Sequence, residues 1–228
     1  MGARSTRGAR SAKGAKGARS AKGAKGAKGA RSARGAKLPM RVFIGVELDD
    51  RIKEAAAEIS ESLRRELGQR VDARWVPASN LHITLWFLGE VDDSRVESVL
   101  RALDPPFAEP AFDVEVSRLG AFPPSGPPRV FWLGVTAGAD SLARLHVELA
   151  TRLEPIGFES ERRAYSAHLT IARVKNVSRG VSPRDIRAML QERTAHAGRC
   201  RIEAVTVFRS RVSSKGATYE TLQRVRLK

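Results

Sequence analysis

The segment NLHITL (residues 80–85) has a near copy in AHLTI (residues 167–171), and this repeat determines how the rest of the chain is interpreted. Each copy reads His, aliphatic, Thr, aliphatic, and the two histidines are His82 and His168. Both segments are predicted strands, in which side chains alternate between two faces. Each His and the Thr two positions later therefore share one face, while the aliphatic side chains point towards the core.

Two imidazoles and two hydroxyls around one cleft suit the hydrolysis of a cyclic phosphodiester. An imidazole has a reference pKa of about 6.5, so near neutral pH one ring can be neutral and its partner protonated. The neutral ring accepts a proton from the attacking water, and the protonated ring donates one to the departing ribose oxygen. Thr84 and Thr170 can donate hydrogen bonds to the non-bridging phosphate oxygens. This scheme needs no metal or other cofactor, and the residues alone do not decide which histidine is the acid.

A single His-x-Thr in a strand is most simply structural, because both residue types occur in half-buried strands. Two copies in corresponding strands favour a functional interpretation. The remaining histidines, His146 in an amphipathic helix and His196 in a polar loop, are interpreted as ordinary. A zinc site would need carboxylate or Cys companions at ligand spacing, and none accompanies the motifs.

Strands and helices are mixed from residue 40 onward, without the regular βαβ alternation of a doubly wound sheet and without a GxGxxG or Walker A loop. We therefore expect an α+β fold of two pseudo-symmetric lobes, each a mainly antiparallel sheet with outer helices, around a central cleft. The predicted strands are 41–48, 72–76, 81–88, 112–119, 129–136, 167–174, 201–209 and 218–226. The predicted helices are 49–67, 93–103, 139–154, with an apolar face of Leu142, Leu145, Val147 and Leu149, and one that begins at Ser182-Pro183. Surface loops are predicted at 175–181 and 194–199.

The N-terminal segment is of a different kind. Residues 1–37 contain twelve of the 41 Lys and Arg and no acidic residue, so most of the net charge of +16 belongs to them. They repeat an approximate small–Ala–basic triplet and offer no apolar group large enough to form a core. We expect residues 1–39 to be a disordered basic tail and residues 40–228 to be one bilobal domain. The tail is expected to attract nucleic-acid phosphates through its charge; a solvated extension without a dedicated role is the alternative.

The single cysteine, Cys200, excludes a disulfide within the chain and a Cys-based zinc site. A lone cysteine fits a reducing cytoplasm, which is the predicted location. The sequence has neither an apolar run of about 20 residues nor the apolar region of a signal peptide, so no membrane partner is expected. We expect a monomer.

At these motifs the sequence closely resembles the two-histidine phosphoesterase superfamily, and within it the bacterial and archaeal RNA 2′,3′-cyclic phosphodiesterases, historically named 2′-5′ RNA ligases. The resemblance covers roughly Met40 to Lys228. The supporting segments are RVFIGVEL, RWVPASNLHITLWFLGEV, GAFPPSGPPRVFWLGV, SAHLTIARVK and TYETLQRVRL. The tail lies outside the family pattern, and the closing segment SRVSSKGATYETL fits it only loosely.

This resemblance implies two related lobes around a cleft that opens the 2′,3′-cyclic phosphate of an RNA end to a 2′-phosphomonoester. It also implies that His82 donates a proton to the leaving 3′ oxygen and that His168 accepts a proton from water. Thr84 and Thr170 match the phosphate-binding positions of the family.

Further substrate contacts are predicted with less support from the pattern. On an ideal strand Arg173 faces away from His168, so a bulge or a strand end is needed for it to reach phosphate. Arg129 begins a strand after the Pro-rich loop, within reach of the cleft mouth. Phe43 fits base stacking, although a core position is the favoured interpretation. Tyr165 is predicted either in an exposed loop or stacked on a base.

Two other classes of function stay open at this point. One is a noncatalytic module that binds RNA ends, which would not need two titrating imidazoles. The other keeps the fold but changes the reaction, towards small cyclic nucleotides, 2′-5′ linkages or ligation, which is the reverse chemistry on the same groups.

Overall fold

The fold places nine strands in one sheet and packs four α-helices against it, over the residues that the computed structural model describes, 40–159, 164–213 and 216–228. The strands are β1 (Met40–Glu47), β2 (Val71–Trp75), β3 (His82–Val91), β4 (Phe112–Phe122), β5 (Val130–Ala137), β6 (His168–Val177), β7 (His196–Ile202), β8 (Ala204–Ser213) and β9 (Gly216–Arg226). The helices are α1 (Asp50–Leu67), α2 (Asp93–Leu103), α3 (Ala139–Leu153) and α4 (Pro183–Glu192). The predicted tail, residues 1–39, lies outside the described residues.

The strand order is β7-β4-β5-β6-β3-β1-β8-β9, and β2 pairs with β6 beside this path. Every pairing between these strands is antiparallel. The order is symmetric about the junction of β6 and β3, because each of these strands has three further strands on its outer side. The predicted α+β class with a mainly antiparallel sheet is therefore confirmed, and its two halves form one continuous sheet.

Helix starts follow the capping residues in the sequence. The Asp49 carboxylate accepts a hydrogen bond from the Ile52 amide at 2.9 Å, and Asp92 accepts one from the Arg95 amide at 2.9 Å. Such caps satisfy amides that the first turn leaves without a helical partner. Ser182 caps α4 in the same way, with proline at the first helical position. The predicted starts of α1, α2 and α4 are confirmed.

The helices bury one apolar face each, and α1 packs against β6 and β7, whereas α3 packs against β3 and β5. Val147 was predicted on the apolar face of α3, and this is wrong, since 64% of it is exposed. The buried positions of α3 are Leu142, Leu145, Leu149 and Leu153. Two residues beyond Leu145, the helix has turned by about 200°, so Val147 lies on the opposite side. No helix of the described residues is both long and apolar enough to span a membrane.

The predicted surface loop at 194–199 is also wrong in part, because β7 begins at His196. The predicted strand 201–209 is divided between β7 and β8. The segment HAGRCRI is polar and contains Gly198, which does not favour a strand by composition. It becomes one because it pairs along β4, with Cys200 opposite Val114, and such long-range pairing overrides local preference.

Candidate active site

The two His-x-Thr motifs meet at the centre of the sheet. β3 begins at His82 and β6 begins at His168. The two strands pair antiparallel through the aliphatic residues that follow each histidine, with Ile83 opposite Leu169. In this register the His of each motif lies opposite the Thr of the other. Alternation along the strands then places both imidazoles and both hydroxyls on one face of the sheet.

A β-bulge in β6 brings Arg173 onto that face. Two consecutive residues of β5 pair with Thr170 and Ala172, so Ile171 is an extra residue in β6. Ile171 and Ala172 are both fully buried in succession. The alternation of side chains restarts after the bulge, and Arg173 therefore points to the same side as Thr170 rather than away from it.

β3 contains the same irregularity at the equivalent position. Two consecutive residues of β1 pair with Thr84 and Trp86, which leaves Leu85 as the extra residue. Leu85 and Trp86 are again both buried, and the next residue, Phe87, is 55% exposed. Phe87 and Arg173 thus occupy matching positions, five residues after the histidine of each motif, one aromatic and one cationic.

Backbone carbonyl groups fix the orientation of both imidazoles. The Nδ1 atom of His82 lies 2.8 Å from the carbonyl oxygen of Asn80, and that of His168 lies 2.8 Å from the carbonyl oxygen of Ser166. Because a carbonyl oxygen only accepts, Nδ1 carries the hydrogen in both rings. The Nε2 atoms are then available for proton transfer, and Nε2 of His82 lies 3.0 Å from Oγ1 of Thr84.

Aromatic side chains hold the two rings in place. The ring of Phe43 stacks on His82 with centroids 4.6 Å apart, and Tyr219 meets His82 edge-on at 5.2 Å. Phe122 meets His168 edge-on at 5.0 Å. Phe43 itself is only 5% exposed, and it packs beneath the imidazole while also lining the central cavity.

Both imidazoles favour the neutral form in the unliganded protein. Burial lowers the pKa of His82 to about 4, with smaller contributions from the charges of Arg173 and His168, against the opposing effect of the Asn80 carbonyl. Burial also lowers the pKa of His168, again opposed by a carbonyl and assisted by Arg173. A bound anion would reverse the balance, because a nearby negative charge favours the imidazolium.

Two cavities flank the motifs. The central cavity, of about 510 Å³, is lined by His82, Thr84, Thr170 and Arg173, together with residues from β1, β2 and β9. The side cavity, of about 260 Å³, lies against His168 and has a largely aromatic wall. Thr84 and Phe87 line both, so the two cavities are neighbours. The remaining aromatic residues of the side cavity are Trp86, Phe122, His146 and Tyr165.

Tyr165 occupies the wall of the side cavity, so its predicted position in an exposed loop is wrong. Its hydroxyl donates to the carbonyl oxygen of Thr84 at 3.2 Å, and its ring stacks on His146 with centroids 4.6 Å apart. Burial raises the pKa of the Tyr165 phenol. The Nδ1–H group of His146 donates to the carbonyl oxygen of Leu85 at 2.8 Å. The contact between Tyr165 and His146 joins two segments that are distant in sequence, which is why local pattern did not reveal it.

Arg129 is exposed, directly before β5, and is not among the described residues that line either cavity. Three cavity residues that the sequence did not single out are Arg74, Phe87 and Tyr219. Only Phe87 had a local signal, since it lies in an apolar run, Leu85 to Leu88, of which strict alternation would place every second residue on the cleft face. Arg74 and Tyr219 enter the cavity through pairing of β2 with β6 and of β9 with β8.

A pseudo-symmetric antiparallel sheet that presents two histidines, two threonines and an arginine on one face, at two adjoining cavities, is the arrangement of a two-histidine phosphoesterase. Comparison with known families agrees with this class. The family model described as "LigT like Phosphoesterase" matches the chain twice, at residues 46–132 and 133–219, and each match contains one His-x-Thr motif. The chain belongs to the LigT-like phosphoesterase family.

Named relatives and solved structures give the same result. A Thermotoga maritima protein named RNA 2′,3′-cyclic phosphodiesterase is 39% identical over 138 residues, which are 60% of this chain and 71% of the relative. An Archaeoglobus fulgidus protein of the same name is 37% identical over 136 residues, 60% of this chain and 73% of the relative. The crystal structure of a Thermus thermophilus protein superposes with a TM-score of 0.67 at 25% identity, covering 82% of this chain and 98% of the other. Escherichia coli LigT complexed with 3′-AMP gives a TM-score of 0.66 at 24% identity, with coverages of 83% and 99%, and supports the fold.

Proposed function

We propose that the protein is an RNA 2′,3′-cyclic phosphodiesterase, which hydrolyses the cyclic phosphate at an RNA 3′ end to a 2′-phosphomonoester. One observation carries this proposal: the pairing of Ile83 with Leu169 puts one imidazole from each motif on the same face of the sheet, each at one of two neighbouring cavities. The names of the Thermotoga maritima and Archaeoglobus fulgidus relatives support the choice of substrate.

The phosphate is bound by hydroxyl and guanidinium groups. Thr84 and Thr170 donate hydrogen bonds to the two non-bridging oxygens, one from each half of the sheet. Arg173 adds a cation on the same face, and its planar fork suits the oxygens of a phosphate group. These donors stabilise the extra negative charge that develops when water attacks the phosphorus.

Proton transfer is carried by the two Nε2 atoms. His168 accepts a proton from water as the new bond between the water oxygen and phosphorus forms. His82 donates a proton to the 3′ oxygen as the bond between phosphorus and that oxygen breaks. The products are a 2′-phosphate and a free 3′-hydroxyl group. The assignment of His82 as donor rests on the resemblance to the family, since the two rings have equivalent backbone anchors.

The lowered pKa values fit this scheme once a substrate is bound. The free cavity keeps both rings neutral because burial disfavours their charged forms. A cyclic phosphate brings a negative charge beside His82 and so favours protonation of its ring. Binding of the anion therefore favours protonation of the acid, whereas the base role of His168 requires that its ring is neutral when water attacks.

The side cavity suits the terminal nucleoside, because its wall is aromatic and adjoins His168. Phe87 is the exposed aromatic face that reaches both cavities. Tyr165 positions Thr84 through the hydrogen bond to its carbonyl group. Arg129 is assigned a contact at the mouth of the cleft, outside both cavities.

The basic tail is proposed to add affinity for RNA without sequence preference, because its twelve cations attract backbone phosphates. A cytoplasmic location is proposed because a single cysteine fits a reducing compartment, and the monomeric state is likewise a prediction.

The test is hydrolysis of an oligoribonucleotide that ends in a 2′,3′-cyclic phosphate, with EDTA present. We expect a 2′-phosphate product from the parent protein and a loss of at least about a hundredfold in both His82→Ala and His168→Ala, as for removal of a general acid or base. His196→Ala is the matched control, because this histidine is largely exposed beside Glu115 and outside both cavities. Its rate should equal that of the parent.

Two outcomes would redirect the proposal. A folded parent that binds the RNA end tightly without turnover would identify a binding module instead. Hydrolysis of small cyclic nucleotides or of 2′-5′ linkages, but not of RNA ends, would keep the chemistry and change the substrate.

A further inference from the structure

Arg74 lies directly opposite Arg173 in the pairing of β2 with β6, and both line the central cavity. Residues directly opposite in an antiparallel pair have Cβ atoms about 4.5–5.5 Å apart, and like charges at such positions repel. The one acidic residue of β2, Asp72, pairs instead with Lys175 at 3.7 Å. Among the described residues neither arginine forms an ion pair, and the cavity lining contains no Asp or Glu. Two uncompensated cations side by side at a cavity mark an anion site.

The two arginines address different parts of this cavity. The charge of Arg173 contributes to the lowered pKa of both imidazoles, so Arg173 lies near both histidines, where the proposed function takes the reacting phosphate to bind. Both arginines, Arg173 more than Arg74, oppose the rise that burial causes in the pKa of the Tyr219 phenol, whereas of the two only Arg173 lowers the pKa of the imidazoles. A Cβ atom on Gly216 would lie 3.1 Å from Nη2 of Arg74. The Arg74 guanidinium therefore extends from β2 towards the first residue of β9, at the outer side of the cavity.

A third arginine in the lining, Arg41, differs from Arg74 in its charge balance. Its Nε atom lies 3.3 Å from Oε1 of Glu90, so the Arg41 cation already has a partner. Arg74 is thus the lining arginine that has no ion-pair partner among the described residues and that lies next to Arg173.

We propose that Arg74 binds the phosphodiester that joins the last two nucleotides of the RNA. This rests on the proposed function, since it takes the terminal cyclic phosphate to lie at Arg173. A cyclic mononucleotide has one phosphate and leaves the Arg74 guanidinium unused. An oligoribonucleotide supplies a second phosphate one nucleotide away, with geometry suited to a guanidinium fork. Arg74 is therefore a specificity residue that makes the protein select RNA ends over cyclic mononucleotides.

The test compares three substrates in the full-length protein: a 2′,3′-cyclic mononucleotide, a dinucleotide with the same cyclic end, and that dinucleotide with a neutral methylphosphonate as its internal linkage. We expect the parent to prefer the normal dinucleotide in kcat/KM by about tenfold over the other two, the size expected of a hydrogen bond to a charged group. In Arg74→Gln the three substrates should become equal within about twofold. Arg65→Gln is the matched control, since it removes the same charge from an exposed position on α1 that lies outside both cavities.

Three results would overturn the assignment of Arg74. One is a parent that hydrolyses the normal and methylphosphonate dinucleotides equally well. Another is an Arg74→Gln variant that loses the same factor on all three substrates, which would place Arg74 at the reacting phosphate. The third is an Arg65→Gln variant that also loses the preference for the normal dinucleotide, which would mean that the preference depends on the net charge of the protein and not on Arg74.

Failure of the proposed function is a separate outcome. If the parent hydrolyses none of the three substrates, the phosphodiesterase proposal fails. The Arg74 contact is then decided by binding of a dinucleotide that carries a terminal 2′-phosphate. The substitution Arg74→Gln should lower the affinity for this dinucleotide about tenfold. The same substitution should leave the affinity unchanged for the dinucleotide with a methylphosphonate internal linkage. An unchanged affinity for the normal dinucleotide would refute the contact.

Discussion

Ile83 and Leu169 are paired across β3 and β6, and both side chains are fully buried. This pair is the point about which the two halves of the sheet are related. Each residue lies between a histidine and a threonine. The core-facing contact of the pair therefore fixes the position of the polar groups along the two strands, on the other face of the sheet. A shift of one residue would turn the imidazoles into the core. The register of the site is thus set by apolar packing beneath it.

Shortening one member of this pair should therefore affect stability and catalysis together. Leu169→Ala is expected to lower the free energy of unfolding by about 2–5 kcal/mol, the range for a buried leucine. We also expect kcat to fall more than KM rises, because the two imidazoles lose their required spacing. Urea unfolding and steady-state kinetics measure the two effects. The control is Val147→Ala on the exposed side of α3, where a change within about 0.5 kcal/mol is expected. A stable Leu169→Ala protein with full activity would refute the structural role of the pair.

The protonation of His82 should depend on whether the cavity holds an anion. A histidine with an ordinary pKa of about 6.5 is mostly protonated at pH 5.5. Since burial lowers the pKa of His82 to about 4, its ring should be neutral at that pH in the free protein, with hydrogen on Nδ1. Addition of a nucleoside 2′-phosphate should raise this pKa and convert the ring to imidazolium.

Nitrogen NMR of the imidazole measures both states directly. Proton uptake on binding also requires that affinity rises as pH is lowered, through the window between the free and the bound pKa. A His82 ring that is already charged at pH 5.5 in the free protein would contradict the effect of burial, and a ring that stays neutral in the complex would argue against its role as proton donor.

Arg173 acts on both histidines and on the phosphate, so its removal should have two separable effects. Arg173→Met is expected to lower kcat/KM by about ten- to a hundredfold, since a hydrogen bond between two charged groups is lost. Loss of the cation should also raise the pKa of His168, because the charge of Arg173 helps to lower it. His168 must be neutral to accept a proton, and the acidic limb of the pH profile should therefore move to higher pH.

The matched control is Arg129→Met, which removes an exposed arginine directly before β5, next to Val130, the residue that pairs with Arg173. We expect a change of less than about threefold in kcat/KM and no shift of the profile, as for an exposed contact. Arg173→Lys should restore the position of the acidic limb but only part of the rate, because lysine keeps the charge and loses the fork. An unshifted profile in Arg173→Met would mean that its charge does not reach the imidazole.

The site was predictable from sequence where its pattern is local, and not where it depends on long-range pairing. His82 and His168 were found because a repeated four-residue pattern sufficed. Arg173 was predicted to need a bulge, and the register of β5 shows one at Ile171, but no sequence rule located it beforehand. Arg74 was missed because nothing within β2 indicates that this strand pairs with β6.

The same division applies to the fold. The starts of α1, α2 and α4 follow from a capping side chain and the first turn, which are local features. The polar residues 196–199 of β7 predict a loop, and only the edge of β4 makes them part of a strand. The predicted position of Val147 in α3 is wrong because this helix has more apolar residues than its buried face holds, and the sequence alone does not show which of them is exposed.

Removal of residues 1–39 should separate the chemistry from general RNA affinity. A protein that starts at Met40 should hydrolyse a dinucleotide substrate at the parent rate within about twofold, because all of the described residues that line either cavity are kept. Its affinity for long RNA at low salt should fall, since each phosphate that a cation neutralises adds about −0.7 to the slope of log K against log salt on single strands. A shallower slope in the shortened protein, measured by fluorescence anisotropy, would identify the tail as the source of the additional affinity.

A tail of the same length with its twelve cations replaced by glutamine is the control, and its affinity and salt slope should match those of the deletion. Long-RNA affinity and a salt slope equal to those of the parent would reject the role proposed for the tail and leave it a solvated extension.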